Sequence, residues 1–120
     1  MTKIPSSKQY DLEERTLKFT KQIIEFTRKL PRTIANIEII KQLVRSAGSI
    51  GANYIEANES LSKKDFVMRI KISRKETKES IYWLNLVEIK NENDKNLQNV
   101  LVQEATELMK IFGAIFEKSK

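Results

Sequence analysis

The stretch Ser62–Lys78 reads SKKDFVMRIKISRKETK and combines helical spacing of apolar residues with a concentration of positive charge. It contains seven Lys or Arg residues against Asp65 and Glu76, a net +5 in a chain whose total is +6. On a helical wheel with about 100° per residue, most of the basic residues fall on one edge roughly 60° wide. This basic edge consists of Lys64, Lys71, Lys75 and Lys78, with Arg74 on its flank. The pattern predicts a helix with one surface suited to an anionic partner.

The same predicted helix carries more apolar residues than a single core contact requires. Its main seam includes Phe66, Ile70 and Leu84. A second stripe, roughly 100 to 160° away from Phe66 on the wheel, consists of Met68, Ile72, Trp83 and Leu86. Such residues either widen the core-facing stripe or meet another subunit. We favour the second interpretation and predict that they form a homo-oligomer interface.

Outside this helix, apolar residues recur at three- and four-residue spacing in three further blocks. The four predicted helices cover residues 11–30, 36–58, 62–91 and 94–118. The pairs Asp11 with Glu14 and Ser62 with Asp65 resemble helix caps, and Pro31 is expected to end the first helix.

Connections of roughly two to five residues between these blocks leave room only for antiparallel neighbours. We therefore predict an all-α protein, an antiparallel up-down-up-down four-helix bundle over residues 11–120 that follows a disordered N-terminal tail, residues 1–10. Gly48 and Gly51 of the second helix are interpreted as sites where a neighbouring helix approaches closely. A hinge or a backbone contact with a ligand is the alternative for these glycines.

The residue types missing from the chain exclude several classes of chemistry. It has no Cys and no His, which removes the usual zinc and haem ligands and the common nucleophile–imidazole pairs. It has no Gly-rich phosphate loop, and no apolar run approaches the ~20 residues of a membrane span. We therefore predict a cytoplasmic protein that is not an enzyme, holds no metal or cofactor and has no membrane partner.

Several ordered strings along the chain resemble those of one protein family. They are YDLEERT at residues 10–16, QLVRSA at 42–47, SIGANY at 49–54, SKKDF at 62–66 and YWL at 82–84. Through them the chain resembles the four-helix-bundle proteins encoded within intervening sequences of bacterial 23S ribosomal RNA genes. The accessory variability proteins of diversity-generating retroelements are similar relatives. The resemblance implies a small bundle that assembles as a barrel-like homopentamer and associates with nucleic acid.

The resemblance also implies a set of recurrent polar positions. By match to the family's strings they are Arg45, Ser46, Asn53, Glu56, Arg74 and Glu76. Two interpretations of these residues stay open, a ligand site and a network of salt bridges between helices.

The leading hypothesis is a non-enzymatic oligomeric protein that binds the backbone of RNA or DNA through Lys and Arg of the basic edge. A solvated helix face is the neutral explanation of the same residues. A protein-interaction scaffold, such as an accessory subunit of a reverse transcriptase, is the alternative function. A metal-dependent hydrolase using Glu56, Glu59 or Glu76 is disfavoured, because isolated Glu residues on a polar face are usually ion-pair partners.

Overall fold

Four α-helices follow one another in the computed structural model, which describes residues 6–120 and the side chains from Asp11 onward. They are α1 (Ser6–Arg28), α2 (Ile34–Asn58), α3 (Lys63–Leu86) and α4 (Glu92–Ser119). No strand occurs within residues 6–120, and the all-α prediction is therefore confirmed. None of these helices is long and apolar enough to cross a membrane.

Side-chain caps begin three of the helices. Thr33 caps α2, Ser62 caps α3 and Asn91 caps α4, and each side chain accepts a hydrogen bond from the backbone N–H three residues later. Each bond satisfies one of the donors that a helix leaves unpaired at its start. The predicted cap at Ser62 is confirmed. The predicted cap at Asp11 is wrong, because α1 already begins at Ser6.

Two of the predicted helix ends differ from the observed ones by several residues, and the others differ by two residues at most. The tail predicted to be disordered covers residues 1–10. Its first part, residues 1–5, lies outside the described residues, whereas residues 6–10 belong to α1. The third helix ends at Leu86 rather than residue 91, because Val87 adopts extended geometry with φ −61° and ψ 142°.

Neighbouring helices run in opposite directions. Between α2 and α3, Asn53 accepts a hydrogen bond from Arg69 while Ser46 meets Ser80, so residue numbers rise on one helix as they fall on the other. Between α3 and α4, the corresponding contacts are Lys71 with Phe116 and Leu84 with Gln98. Between α1 and α2, they are Glu13 with Asn58 and Thr20 with Ala47. Because α1 also packs against α4, the helices form a closed up-down-up-down bundle.

Large apolar side chains from all four helices fill the centre of the bundle. The fully buried ones are Phe19, Ile23, Leu43, Ile50, Tyr54, Ile70, Leu84, Leu108 and Phe112. The rings of Tyr54 and Phe112 meet edge to face with centroids 5.7 Å apart, a favoured aromatic geometry. Small polar residues occupy the middle of the α3 seam, where the Ser73 hydroxyl donates to the Ile50 carbonyl at 3.0 Å. Their size lets α2 and α3 form the most extensive helix pair of the bundle.

The two glycines of α2 have different surroundings. A Cβ atom built on Gly51 would lie 2.8 Å from Thr16 Oγ1 and 3.2 Å from Thr16 Cβ. The predicted close approach of a helix is thus confirmed at Gly51, where α1 crosses. At Gly48 the prediction is wrong within one chain, since a built Cβ would meet nothing within 4 Å.

A single buried amide joins two loops at one end of the bundle. The Asn36 Nδ2 group donates to the Pro31 carbonyl at 2.9 Å and to the Glu88 carbonyl at 3.3 Å. Its Oδ1 atom accepts from the Glu88 N–H at 2.8 Å, and the side chain is fully buried. These bonds attach the start of α2 to the loop after α3, which explains why α3 stops at Leu86.

Candidate nucleic-acid and assembly surface

The basic edge lies on the solvent-facing side of α3. Its residues, Lys64, Lys71, Arg74, Lys75 and Lys78, are all exposed. Lys75 has the Glu79 carboxylate 4.0 Å away, whereas none of the other four forms a salt bridge with the described residues at up to 4.0 Å. Cationic groups without a neighbouring carboxylate remain available to an external anion such as a phosphate.

The basic edge continues onto α4 through an aromatic ring. Lys71 Nζ lies 5.8 Å from the centre of the Phe116 ring, and Lys120 Nζ lies 5.8 Å from the same centre. Both distances are within the range of a cation–π interaction. The ring thus brings Lys71 of α3 and Lys120, just after the end of α4, close to the same place.

The Arg74 side chain lies beside α4 at Gly113, where that helix has no side chain. A Cβ atom built on Gly113 would be 3.6 Å from Arg74 Nε, which is ordinary van der Waals contact. The exposed Lys110 lies about one helical turn before Gly113. The wheel of α3 could not reveal this contribution, because it depends on how α3 and α4 pair.

The four residues predicted as an interface, Met68, Ile72, Trp83 and Leu86, form a stripe that we call the α3 ridge. The side chains of Met68 and Leu86 are 46% and 45% exposed. Ile72 and Trp83 are half-buried, and Trp83 also packs against the bundle core. The Trp83 Nε1–H is buried and has no hydrogen-bond acceptor among the described residues, although an indole N–H usually finds a partner.

The α3 ridge and the basic edge border one shallow groove. The groove has a volume of about 760 Å³. Its lining includes Met68, Ile72 and Trp83 from the ridge, and Lys71, Arg74, Lys75 and Lys78 from the basic edge. An apolar surface and a cationic surface therefore lie side by side on a single helix.

The recurrent polar positions form contacts between α2 and α3. Arg45 Nη2 donates to Glu79 Oε1 at 3.0 Å and to Glu76 Oε1 at 3.5 Å, and Arg69 Nη1 donates to Asn53 Oδ1 at 3.0 Å. Glu76 is only 7% exposed, so its carboxylate lies behind the Arg45 side chain. The salt-bridge interpretation is confirmed for Arg45 and Glu76, whereas the Asn53 contact is a hydrogen bond to a neutral amide.

Not every recurrent polar residue takes part in these contacts between α2 and α3. The Glu56 side chain is exposed and belongs to none of the ion pairs between described residues. Within residues 11–120, no group of three or more His, Cys, Asp or Glu side chains could hold a metal ion.

A family model described as 23S rRNA-intervening sequence protein matches residues 8–114. The chain belongs to this family. A similar solved structure is the crystal structure of a protein with unknown function from the S23 ribosomal protein family of Bacteroides thetaiotaomicron VPI-5482. It is 29% identical, with a TM-score of 0.75, and the match covers 87% of this chain and 96% of that chain. No curated protein matches the chain.

Membership in the 23S rRNA-intervening sequence protein family confirms the resemblance that the strings carried, and the match covers most of the bundle from α1 into α4. The likeness to accessory variability proteins of retroelements stays a prediction.

Proposed function

We propose that this family member is a non-enzymatic cytoplasmic protein that binds the backbone of RNA, or of DNA, through the basic edge of α3. The observation that supports the proposal is the exposure of five cationic side chains on one edge, four of which lack a carboxylate partner among the described residues. Backbone binding requires this arrangement, because each Lys or Arg that reaches a phosphate releases condensed counterions.

The dimensions of the edge suit a run of phosphates. At 1.5 Å per residue, Lys64 and Lys78 are separated by about 21 Å along α3, several times the 3.4 Å spacing of phosphates along one duplex strand. Tyr82, 60% exposed, is the aromatic side chain of α3 that is most accessible beside the edge. One such ring offers little for successive stacking of bases, so the proposal concerns the backbone rather than base recognition.

Self-association is part of the proposed function. The α3 ridge supplies exposed Met68 and Leu86 and a buried Trp83 Nε1–H without an acceptor among the described residues, features that suit contact with a second copy. The family resemblance leads us to expect a homopentamer. Assembly would present several basic edges together, and linked sites bind a long polyanion far more tightly than one site does.

A protein-interaction scaffold is the second candidate function. The observation that favours it is the apolar wall of the groove, since phosphate binding alone does not require Met68 or Ile72 to be there. The partner would be an acidic or RNA-laden protein such as a reverse transcriptase, bound by the same basic edge.

The decisive experiment compares two charge-matched triple variants. Lys71→Gln, Lys75→Gln and Lys78→Gln together should weaken binding to single-stranded RNA about equally for unrelated sequences. The logarithmic salt dependence should become less steep by about 0.7 for each phosphate that the variant no longer neutralises. The measurement is fluorescence anisotropy across a salt series.

The control triple variant replaces three exposed lysines with Gln, namely Lys18 and Lys21 of α1 and Lys29 just after its end. It removes the same charge and should leave affinity nearly unchanged. Equal weakening of binding in both triple variants would mean that only net charge matters. If the parent protein binds no nucleic acid even at low salt, the scaffold function replaces nucleic-acid binding.

A further inference from the structure

We infer that the phosphate-binding surface of this protein extends from α3 onto α4 and takes a double helix, whose two backbones lie side by side, in preference to a single strand. This surface, called the α3–α4 face, consists of Lys71, Arg74 and Lys78 of α3, Lys110 of α4 and Lys120 just after α4. The inference rests on the proposed nucleic-acid binding and names the form of nucleic acid that the site takes.

Opposite sides of α4 carry opposite charges beside the basic edge. Arg15 of α1 binds both Glu104 and Glu107 of α4, at 2.7 Å and 2.9 Å, so these carboxylates mark the α1 side. Gly113 marks the α3 side, because it lies next to Arg74. At about 100° per residue, the exposed Lys110 lies about 60° from Gly113, whereas Glu104 lies about 180° from it. The cationic side of α4 therefore adjoins the basic edge of α3.

Gly113 leaves room for the Arg74 side chain to lie along α4. A Cβ atom built on Gly113 would be 3.6 Å from Arg74 Nε and 3.9 Å from its Cδ, so the arginine packs against the backbone of the neighbouring helix. Arg74 is exposed and forms no salt bridge with the described residues. Its guanidinium group is a planar fork that can bind a phosphate with two donors. Arg74 thus joins the cationic surfaces of α3 and α4.

The cations of the two helices form two rows at matching heights. Arg74 lies level with Gly113, and the helices are antiparallel, so Lys78 and Lys110 lie about level with each other, one turn away. The two lysines around the Phe116 ring form a second pair, about 10 Å further along the bundle. Axes of packed helices are about 8–10 Å apart. The cationic patch therefore has similar dimensions along and across the helices.

Two rows of cations match a double helix better than a single strand. Duplex DNA carries one charge per about 1.7 Å of its axis, against about 3.4 Å for each strand alone. Its two backbones flank each groove, so both rows can meet phosphates at once. A single strand that follows the basic edge of α3 leaves the row on α4 without phosphates. Proteins that bind double-stranded RNA recognise it mostly by its shape and backbone, which is the kind of contact that this face offers.

The aromatic ring of the α3–α4 face does not suit the stacking of unpaired bases. Phe116 is half-buried, and the ammonium groups of Lys71 and Lys120 each lie 5.8 Å from its centre. Proteins that bind single strands without sequence preference use accessible rings on which successive bases stack. Glu117, an exposed carboxylate beside this ring, lies 2.9 Å from Lys120 Nζ, so its charge is compensated within the face.

The first test measures fluorescence anisotropy with a short RNA duplex, a DNA duplex and a single RNA strand of the same length. The parent protein should bind each duplex at least tenfold more tightly than the single strand. Lys110→Glu should weaken duplex binding at least fivefold and change single-strand binding less than twofold. Lys21→Glu is the matched control, because Lys21 is an exposed lysine of α1 with Glu25 one turn away, as Glu107 is for Lys110. The control should bind like the parent.

The second test places a carboxylate beside the arginine. Gly113→Glu should pair with Arg74 and weaken duplex binding at least fivefold. Gly113→Ala, whose Cβ makes only ordinary van der Waals contact with Arg74, should bind like the parent protein. Neither variant should melt at a lower temperature than the parent, since replacing a glycine inside a helix favours the helix.

The outcomes separate this inference from the proposed function. A parent protein that binds neither duplex nor single strand at low salt overturns both. A parent that binds the single strand as tightly as the duplexes overturns the double-helix inference alone. The same conclusion follows if Lys110→Glu weakens both forms equally, or if either glutamate variant binds duplexes like its control.

Discussion

Gly51 has a neighbour that leaves no room for a side chain. Thr16 is buried, its hydroxyl is 3.0 Å from both the Leu12 and the Glu13 carbonyls, and its branched Cβ restricts rotation. Gly51→Ala should therefore lower the free energy of unfolding by about 1–3 kcal/mol through overpacking. Gly48→Ala, in open space, should instead raise it by up to about 1 kcal/mol. Urea denaturation of both variants measures the difference, and equal effects would contradict the packing at Thr16.

Tyr54 should make the protein sensitive to alkaline pH. Burial raises the pKa of its phenol above the ordinary 10.0, an effect larger than the opposing influence of Asn58. The unfolded chain then loses this proton at a lower pH than the folded chain. The stabilising contribution is complete below about pH 10 and is lost as pH rises through the raised folded pKa.

Tyr54→Phe tests this dependence. Because the Tyr54 hydroxyl has no hydrogen-bond partner among the described residues, the change should cost little stability at neutral pH. It should also reduce the decline in urea stability as pH rises above about 10. Tyr82→Phe, at an exposed position, is the control, and an equal reduction there would rule out burial as the cause.

The sequence predicts the burial of individual side chains well where helical periodicity decides which way they face. Ile70 and Leu84 are buried as their spacing predicts, whereas Phe66 of the same seam is half-buried. The helical wheel of α3 fails to show that Glu76 is buried beside Arg45. It fails because a single-helix pattern contains no information about which neighbouring helix covers its edge.

The connection between α1 and α2 depends on one side chain in the first turn of α2. Asn36→Ala would leave the Glu88 N–H and the carbonyls of Pro31 and Glu88 without their partner. A buried polar group left unsatisfied costs about 1–3 kcal/mol, so the variant should lose at least that much stability in urea denaturation. Asn99→Ala, at an exposed position of α4, should be nearly neutral. Similar destabilisation in both variants would contradict the loop attachment.

The helices themselves follow from the sequence, whereas their junctions do not. Ser62 is recognisable as a cap because it precedes an apolar-periodic run and has Asp65 in the first turn. The predicted end of α3 lies too far along the chain, since the bond from Glu88 to Asn36 joins segments that are distant in sequence. Interactions of this kind leave no periodic signal.

Salt bridges join the first and last helices of the bundle. Arg15 Nε donates to Glu104 at 2.7 Å, and its Nη2 donates to Glu104 and Glu107 at 2.9 Å. The hydrogen bond from Gln103 and then that from Arg15 lower the pKa of Glu107, so this contact should weaken as pH falls into the acidic range. Antiparallel packing is predictable from short loops, but the pairing of α1 with α4 at Arg15 is visible only in the structure.

Assembly and nucleic-acid binding should be linked in the whole molecule. Met68→Gln with Leu86→Gln replaces the two exposed apolar side chains of the α3 ridge and retains every lysine of the basic edge. The monomeric variant then offers one edge where an assembly offers several. If both proposals hold, its affinity for a long RNA should fall at least tenfold, and the salt dependence should become less steep because fewer phosphates are bound together. A short RNA that spans one edge should bind the variant and the parent equally, which controls for damage to the edge itself. Anisotropy with both RNAs measures the effect, and an equal decrease in affinity for long and short RNA would contradict the linkage.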